Sequence, residues 1–381
     1  MPRVLLYSKR CDGVQQPVAF RNDVCELRYT VNGAVYFFTA FLWSMPYPLF
    51  LQRKLIMLFK FVAGVANKIL VLFFITGFIL CIESGAVQAA TDKMPELKVG
   101  YIPIVDAAQL YVAKDLNLFR KHGINVKLLA FAGGAKIIQA LSVGELDVGF
   151  TGTVPLIQAN SRGLPIRAIT GGSIQDKSSP YQALVTPKNS SILQANQLVG
   201  STIGVNVFKS IDHSFTLAWL QKHGVDTKSI KFVEIPFPEM EAALATGQIQ
   251  AASMIEPFIT LAEGRDSIKI LDYHIVDVKP EFEMTTYVVS ADYADKDRKE
   301  LKAFQAAINE ATDLINSGKA NLQKSISTNT KLDKKLVRQI AVPRFGKTLT
   351  LENLEFTSSL LMKLGFIEKS PKVEDLILTL D

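Results

Sequence analysis

The sequence predicts an α/β protein whose two similar halves face each other across a cleft. Three observations carry that expectation. From Leu97 onward, strands alternate with helices of ten to fifteen residues and short loops, the pattern of right-handed βαβ units in a mostly parallel sheet. The same grammar restarts after Tyr181–Pro187 ("YQALVTP"). A helix-glycine-strand-loop phrase also occurs twice, "QALSVGELDVGFTGT" at Gln139–Thr153 and "AALATGQIQAASMIEP" at Ala242–Pro257, with Gly144 and Gly247 in matching places. In open α/β sheets ligands bind at the carboxyl edge of the strands. Two such edges facing one another make a clamp.

The elements of the first half follow in order. "LKVGYIP" is a buried strand, and Ala107–Lys121 an amphipathic helix stopped by Gly123. "NVKLLAF" is the next strand, and "GGAKIIQALSVG" a glycine loop opening a helix. "LDVGF" is a strand, "TVPLIQANSRG" a helix, and "PIRAIT" a strand ending at Gly171, Gly172 and Ser173. In the second half, "STIGVNV" is a strand and His213–His223 a helix ended by Gly224. "IKFVEIP", "PEMEAALATG", "IQAASMI" and "PFITLAEG" continue as strand, helix, strand and helix. "EMTTYVVS" (Glu283–Ser290) is again a strand, followed by helices over Lys296–Ser317, Leu332–Ile340 and Leu351–Leu364. The chain is expected to cross between halves near Tyr181–Pro187 and Met284–Val289, which makes a hinge.

Charge and cysteine usage separate a leader from this folded part. The 381 residues are 48% hydrophobic, enough for one large core or two ordinary ones. The formal charge of +6 arises mainly in residues 1–90, which hold 9 Lys/Arg against 4 Asp/Glu; the remaining 291 hold 33 against 32. Such a near-neutral remainder has no electrostatic footprint for nucleic acid. Cys11, Cys25 and Cys81 also precede residue 90, so the folded part has neither disulfides nor a thiolate metal site. Lys60 and Lys68, the apolar run Ile69–Ile82 and the small-residue exit "SGAVQAA" are the three parts of a secretory signal peptide. The expectation is an export signal over 57–90, cleaved near Ala89-Ala90 to give a periplasmic protein; an uncleaved anchor is the alternative. Residues 1–56 read as a non-structural extension or an over-extended start, with a second membrane segment over the apolar stretch 34–51 as the alternative.

The stretch "VGYIPIVDAAQLYVAKDLNLFRKHGINVKLLAFAGGAKIIQALSVGELDVGFTGTVPLIQANSRGLPIRAIT" resembles the first lobe of periplasmic substrate-binding proteins of the nitrate/sulfonate/bicarbonate type, which serve ABC importers. "STIGVNVFKSIDHSFTLAWLQKHGVDTKSIKFVEIPFPEMEAALATGQIQAASMIEPF" is similar to the second lobe of the same family. The resemblance implies a two-lobed periplasmic-binding-protein-like class II fold, with two mixed sheets, flanking helices and a ligand cleft. Lobe 1 would comprise 91–183 and 286–381, and lobe 2 would comprise 184–285. It also implies an extracytoplasmic monomer that captures a small sulfonate, taurine, nitrate or related organic solute by hinge closure and hands it to a permease in the inner membrane, with no cofactor.

Five strand-to-helix junctions are expected to line the cleft. At the first, Tyr101 either lays its ring over a ligand or fills core, and Asp106 either meets a ligand amine or caps the helix from Ala107. Gly133 and Gly134 open a helix whose free amides favour negative charge. Thr151, Gly152 and Thr153 place two hydroxyls beside a glycine at a strand end, although Thr153 would equally serve as an N-cap. In "FKSIDHS", Ser210, Ile211, Asp212 and His213 surround a helix start, where one of Ser210 and Asp212 is expected to cap. His213 is the titratable group nearest to neutral pH, and its alternative is an ordinary surface position. Glu256 opens the facing helix, either pairing with a ligand amine or capping. Ser173 and Thr285, at the two crossings, complete the candidate set. No arginine lies in the five loops, so bidentate recognition of an anion is not expected; a zwitterion, or a neutral solute with an anionic end, fits better.

Catalytic constellations are absent from the sequence. It has no Gly-x-Ser-x-Gly elbow and no Gly-x-x-x-x-Gly-Lys-Ser/Thr loop, and no cysteine nucleophile downstream of residue 90. The four histidines are scattered, with His122 and His223 at helix ends where the macrodipole accounts for them without a metal. The expectation is therefore a binding protein. Its alternatives are an enzyme on the same fold acting on a thiamine-precursor pyrimidine and a membrane-anchored ligand-sensing domain.

Overall fold

The computed structural model describes residues 94–380, together with two strands at 27–31 and 34–38. Those strands, β1 (Leu27–Val31) and β2 (Ala34–Phe38), pair antiparallel with Leu27 opposite Phe38 and belong to a unit of their own that ends at Ala90. The expected export signal, its cleavage point and the rest of 1–56 lie outside the described residues.

Residues 94–380 build two five-stranded sheets of matching design. In the first, β3 (Glu96–Tyr101), β4 (Asn125–Ala130) and β5 (Val148–Gly152) run parallel in the order β4-β3-β5. In the second, β9 (Thr202–Val205), β10 (Lys231–Glu234) and β11 (Ala251–Ile255) repeat the pattern as β10-β9-β11. The repeated strands β5 and β11 are buried at every position, as parallel strands covered on both faces must be. Each follows a helix stopped by a left-handed glycine, Gly144 at φ +73° and Gly247 at φ +72°. Only glycine takes that conformation without strain, which is why the phrase repeats with its glycine in place.

The sheets are less parallel than the element order suggests, because each takes its fourth strand from the other half. β14 (Thr285–Ser290) arrives from the second half and lies antiparallel between β5 and β6 (Ile166–Gly171). β8 (Gln182–Pro187) arrives from the first and lies antiparallel between β11 and β12 (Ile268–Asp272). Each strand that enters from the other half runs against its neighbours. The crossings themselves pair in a small sheet, in which β7 (Ser173–Asp176) lies between β13 (Glu281–Glu283) and β15 (Arg344–Phe345).

Helices cover both sheets. The expected helix at 107–121 is broken into a 3₁₀ turn at Val105–Ala107 and two pieces, α1 (Ala108–Asp115) and α2 (Leu118–Lys121). Asn117, at φ +55°, makes the break. α3 (Gly134–Ser142) and α4 (Thr153–Ser161) follow β4 and β5, and α5 (Ile211–Lys222) follows β9. The return segment is helical, but a helix at Leu322–Thr330 lies where a loop was expected, and the expected helix at 332–340 is only the turn Lys334–Val337. Its long helix Arg298–Asn316 lays Leu301, Phe304, Ala307, Ile308 and Ala311 on the core, with Phe304 stacked on Phe119 at 5.6 Å. Among the described residues no helix is long and apolar enough to cross a membrane.

Candidate functional site

The carboxyl edges of the two sheets face each other and enclose a cavity of about 90 Å³. At 10–15 Å³ for a water-sized group, that is room for about six to nine such groups, the size of a small organic solute. The first half supplies Ile102, Ile104 and Asp106 after β3, Gly133–Ala135 after β4, and Gly152, Pro155 and Gln158 after β5. The second supplies Asn206–Asp212 after β9, Phe237 after β10 and Ile255 at the end of β11. Gln182, Met284 and Thr285 come from the crossings. Eight of these side chains are apolar and large, so the wall suits the carbon skeleton of a solute with few polar ends.

The halves touch across this cavity. Gln158 Nε2 donates to the Lys209 carbonyl at 2.7 Å, and Asn206 Nδ2 reaches the Ala132 carbonyl at 3.4 Å. Lys209 holds a left-handed backbone at φ +62°, fixed from its own side by its N–H donating to His213 Nδ1 at 2.9 Å. A Cβ placed on Gly152 would lie 2.7 Å from Ile211 Cδ1 in the opposite half. Glycine at that strand end is a requirement of the closed cleft.

Eight of the fourteen sequence-predicted residues stand in the wall: Asp106, Gly133, Gly134, Gly152, Ser210, Ile211, Asp212 and Thr285. The other six serve its framework. Tyr101 packs edge-on against Tyr111 at 6.1 Å. Thr151 lies beneath the start of α3, where a Cβ on Gly134 would strike its Oγ1. Thr153 is neither in the wall nor a cap, since Gly152 is the N-cap of α4; its hydroxyl donates to the Glu283 carbonyl at 3.3 Å. Ser173 is one hydrogen bond behind the wall, donating to Asp106 Oδ1. His213 is 8% exposed among Phe208, Phe232 and Phe366, with ring centroids 4.6–5.6 Å away. Burial, aided by Lys209, lowers it to about 4, so the ring is neutral at physiological pH. Glu256 precedes Pro257, the N-cap of the helix Phe258–Gly264, and its carboxylate accepts from Thr260 N–H at 3.1 Å and Thr260 Oγ1 at 2.7 Å.

Three carboxylates lie buried at or near the cleft, and they are not equivalent. Burial pushes Asp106 and Asp212 up to about 6 and Glu256 up to about 7. Asp212 is satisfied within its own loop, accepting from Ser210 Oγ and from the Asn206 N–H at 2.6 Å. Asp106 does not cap its helix as one expectation had it. Its Oδ1 instead accepts from Ser173 and, at 2.7 Å, from the Tyr181 hydroxyl. In the same wall α3 has Gly133 as its N-cap and no side-chain cap, so its first-turn amides are donors without a side-chain partner beside Gly133, Gly134 and Ala135.

Away from the cleft, His223 gathers with Asp272 and Asp277 within 4.8 Å. Their atoms already bond to protein: Asp272 accepts from the Trp219 indole at 2.7 Å, and Asp277 from Lys222 at 2.9 Å and His223 at 3.0 Å.

Sequence reasoning missed Gln158, Gln182, Asn206, Lys209 and Phe237 among the wall residues. Phe237 follows a strand end, and Gln158 lies one turn past Pro155 on the same helix face, so both were within reach of the strand-edge rule. Gln182 and Lys209 depend on how the crossing and the β9 loop are bent, which no local signal discloses.

Comparison with known proteins agrees with this geometry. The chain is 30% identical over 194 residues to the taurine-binding periplasmic protein of Escherichia coli, covering 51% of this chain and 58% of that protein. It therefore spans rather more than half of that relative's length. It is 24% identical over 243 residues to a putative aliphatic sulfonates-binding protein of the same organism, covering 63% of this chain and 72% of the relative. In structure it is similar to the alkanesulfonate-binding protein SsuA of Xanthomonas axonopodis bound to MOPS, at a TM-score of 0.65 and 19% identity over 74% of this chain and 98% of that one. The periplasmic nitrate-binding protein NrtA of Synechocystis has the same TM-score of 0.65 at 15% identity, over 75% and 86%. These neighbours bear the names of solute-binding proteins rather than enzymes, and at such identities they establish the fold, a periplasmic-binding-protein α/β architecture. The model of the NMT1-like family matches residues 90–328; with most of both halves inside that match, the chain belongs to the NMT1-like family.

Proposed function

We propose that this protein is the extracytoplasmic solute-binding component of an ABC importer, closing around a small organic sulfonate or related solute and presenting it to the permease. The observation that carries this reading is the cavity of about 90 Å³ shared by both carboxyl edges and shut by direct contacts between the halves. A site whose contacts come from both halves is complete only when they close, so a solute that fits shifts the equilibrium toward the closed form. Closure then marks the loaded protein for its permease. In this reading the lobes divide at 183/184 and 285/286, and residues 57–90 act as the export signal. The protein works as a monomer without a cofactor.

Thermal shift against taurine, alkanesulfonates, nitrate, short carboxylates and aromatic acids tests the assignment. A solute present at a hundred times its Kd stabilises the folded state by about 2.7 kcal/mol, which moves the melting temperature by several degrees. Failure of the whole panel to move it would overturn the reading. N-terminal sequencing of the exported protein should begin at Ala90 or Thr91; a start at Met1 would remove the leader assignment.

A further inference from the structure

Asp106 is the one carboxylate in the cavity wall with an oxygen left over. It is 0% exposed. Its Oδ1 accepts from Ser173 and Tyr181, while Oδ2 is buried without a partner. The two oxygens of Asp212 are both taken within its own loop. Lys209 is the only cation in the wall, and its ammonium lies 5.6 Å from the Phe366 ring centroid. An unpaired buried carboxylate costs several kcal/mol unless a donor or a cation reaches it. Neither reaches Oδ2 in this structure.

We propose that the solute carries a protonated amine that pairs with Asp106 Oδ2, and that this contact selects amine-bearing solutes over otherwise identical amine-free ones. This deepens the solute-binding reading and rests on it. The uncapped amides at the start of α3 stand elsewhere in the same wall and suit the anionic end of a zwitterion. The carboxylate is also wired to the hinge. Ser173, which donates to Asp106, has both its N–H and its hydroxyl 2.8 Å from Thr285 Oγ1. Ser173 and Tyr181 belong to the outgoing crossing, and Thr285 to the returning one. A cation on Oδ2 therefore meets a group held by the outgoing crossing and linked through Ser173 to the returning one.

Protonation competes with such a cation. Burial places the Asp106 carboxyl at about 6 in the empty protein. The groups that face it are the hydroxyls of Tyr181, Tyr111 and Tyr287, all held neutral by burial, with Asp212 and Lys209 in the same wall. Below pH 6 an ammonium must displace a proton, so affinity for the amine falls about tenfold per pH unit.

The test is calorimetric titration of the whole mature chain with matched pairs: taurine against isethionate, in which a hydroxyl replaces the ammonium, and β-alanine against 3-hydroxypropionate. In whichever pair binds, the amine should win by at least tenfold at pH 7.5, and its advantage should shrink toward pH 5. Asp106→Asn keeps an acceptor for Ser173 and Tyr181. It should erase the preference, so that the two members of the pair bind alike. Equal affinity within a pair, or a preference that survives in a folded Asp106→Asn, overturns amine recognition and leaves the solute-binding assignment standing. The wild-type pairs decide the matter even if the variant does not fold. Loss of all binding, in these pairs and in the wider thermal-shift panel, would instead overturn the underlying assignment.

Discussion

At the scale of single residues, position beside the cleft and participation in it are different things. His213 was the sequence's most conspicuous titratable group, and it has become a neutral ring among three phenylalanines that pins the Lys209 N–H. Because burial lowers it to about 4, the unfolded chain, with an ordinary value near 6.5, takes up the proton first as pH falls. Its contribution is complete above pH 6.5 and drains away between about 6.5 and 4. Asp106, Asp212 and Glu256 act in the opposite sense, since their raised values let the folded state hold protons longer. The contribution of His213 is isolated by comparing wild type with His213→Asn, whose Oδ1 can replace Nδ1 as the acceptor. Between pH 7 and 4.5 urea unfolding should show the wild type losing more stability than the variant, by on the order of 2 kcal/mol. Parallel profiles would contradict the neutral-ring assignment. Thr153→Ala removes the hydroxyl that holds the Glu283 carbonyl. It should cost about 0.5–1.5 kcal/mol of unliganded stability with little change in solute affinity; the reverse pattern would place Thr153 in the site.

At the scale of elements, the repeated helix-glycine-strand unit explains both the fold and the cleft. β5 and β11 are buried along their whole lengths and end at the cavity. Gly152 caps α4 with φ −75°, a conformation open to any residue, so backbone strain does not select glycine there. The opposing Ile211 does, at 2.7 Å from a would-be Cβ. Gly152→Val should leave the unliganded melting temperature nearly unchanged and weaken solute binding at least tenfold, because the clash exists only when the halves meet. An equal loss of both would make Gly152 a residue of the fold.

At the scale of the whole molecule, the proposed function rests on a balance between open and closed forms. Gln158 supplies a bond made across the cleft, to the carbonyl of the left-handed Lys209. A hydrogen bond of this kind contributes about 0.5–1.5 kcal/mol net. Gln158→Ala should therefore raise the solute Kd by about two- to twelvefold, without a comparable loss of unliganded stability. Small-angle scattering should show a larger mean radius for the variant at sub-saturating solute. An unchanged affinity would mean that closure does not draw on this contact.

The sequence by itself determined the alternation of strands and helices, the glycine stops, the duplication and the edges where a ligand would sit. Each of these is written in local periodicity or in a conformation that few residues can adopt. It also pointed to Asp106, Gly152 and the Ser210–Asp212 loop, because strand ends feeding helix starts are readable without a model of the fold. Only the tertiary structure decided which carboxylate is free. Asp106 meets Ser173 and Tyr181 across 67 and 75 residues of chain, and Ser173 meets Thr285 across 112. Hydrogen bonds over such separations leave no local trace, and they alone distinguish an oxygen already satisfied from one still waiting for a partner.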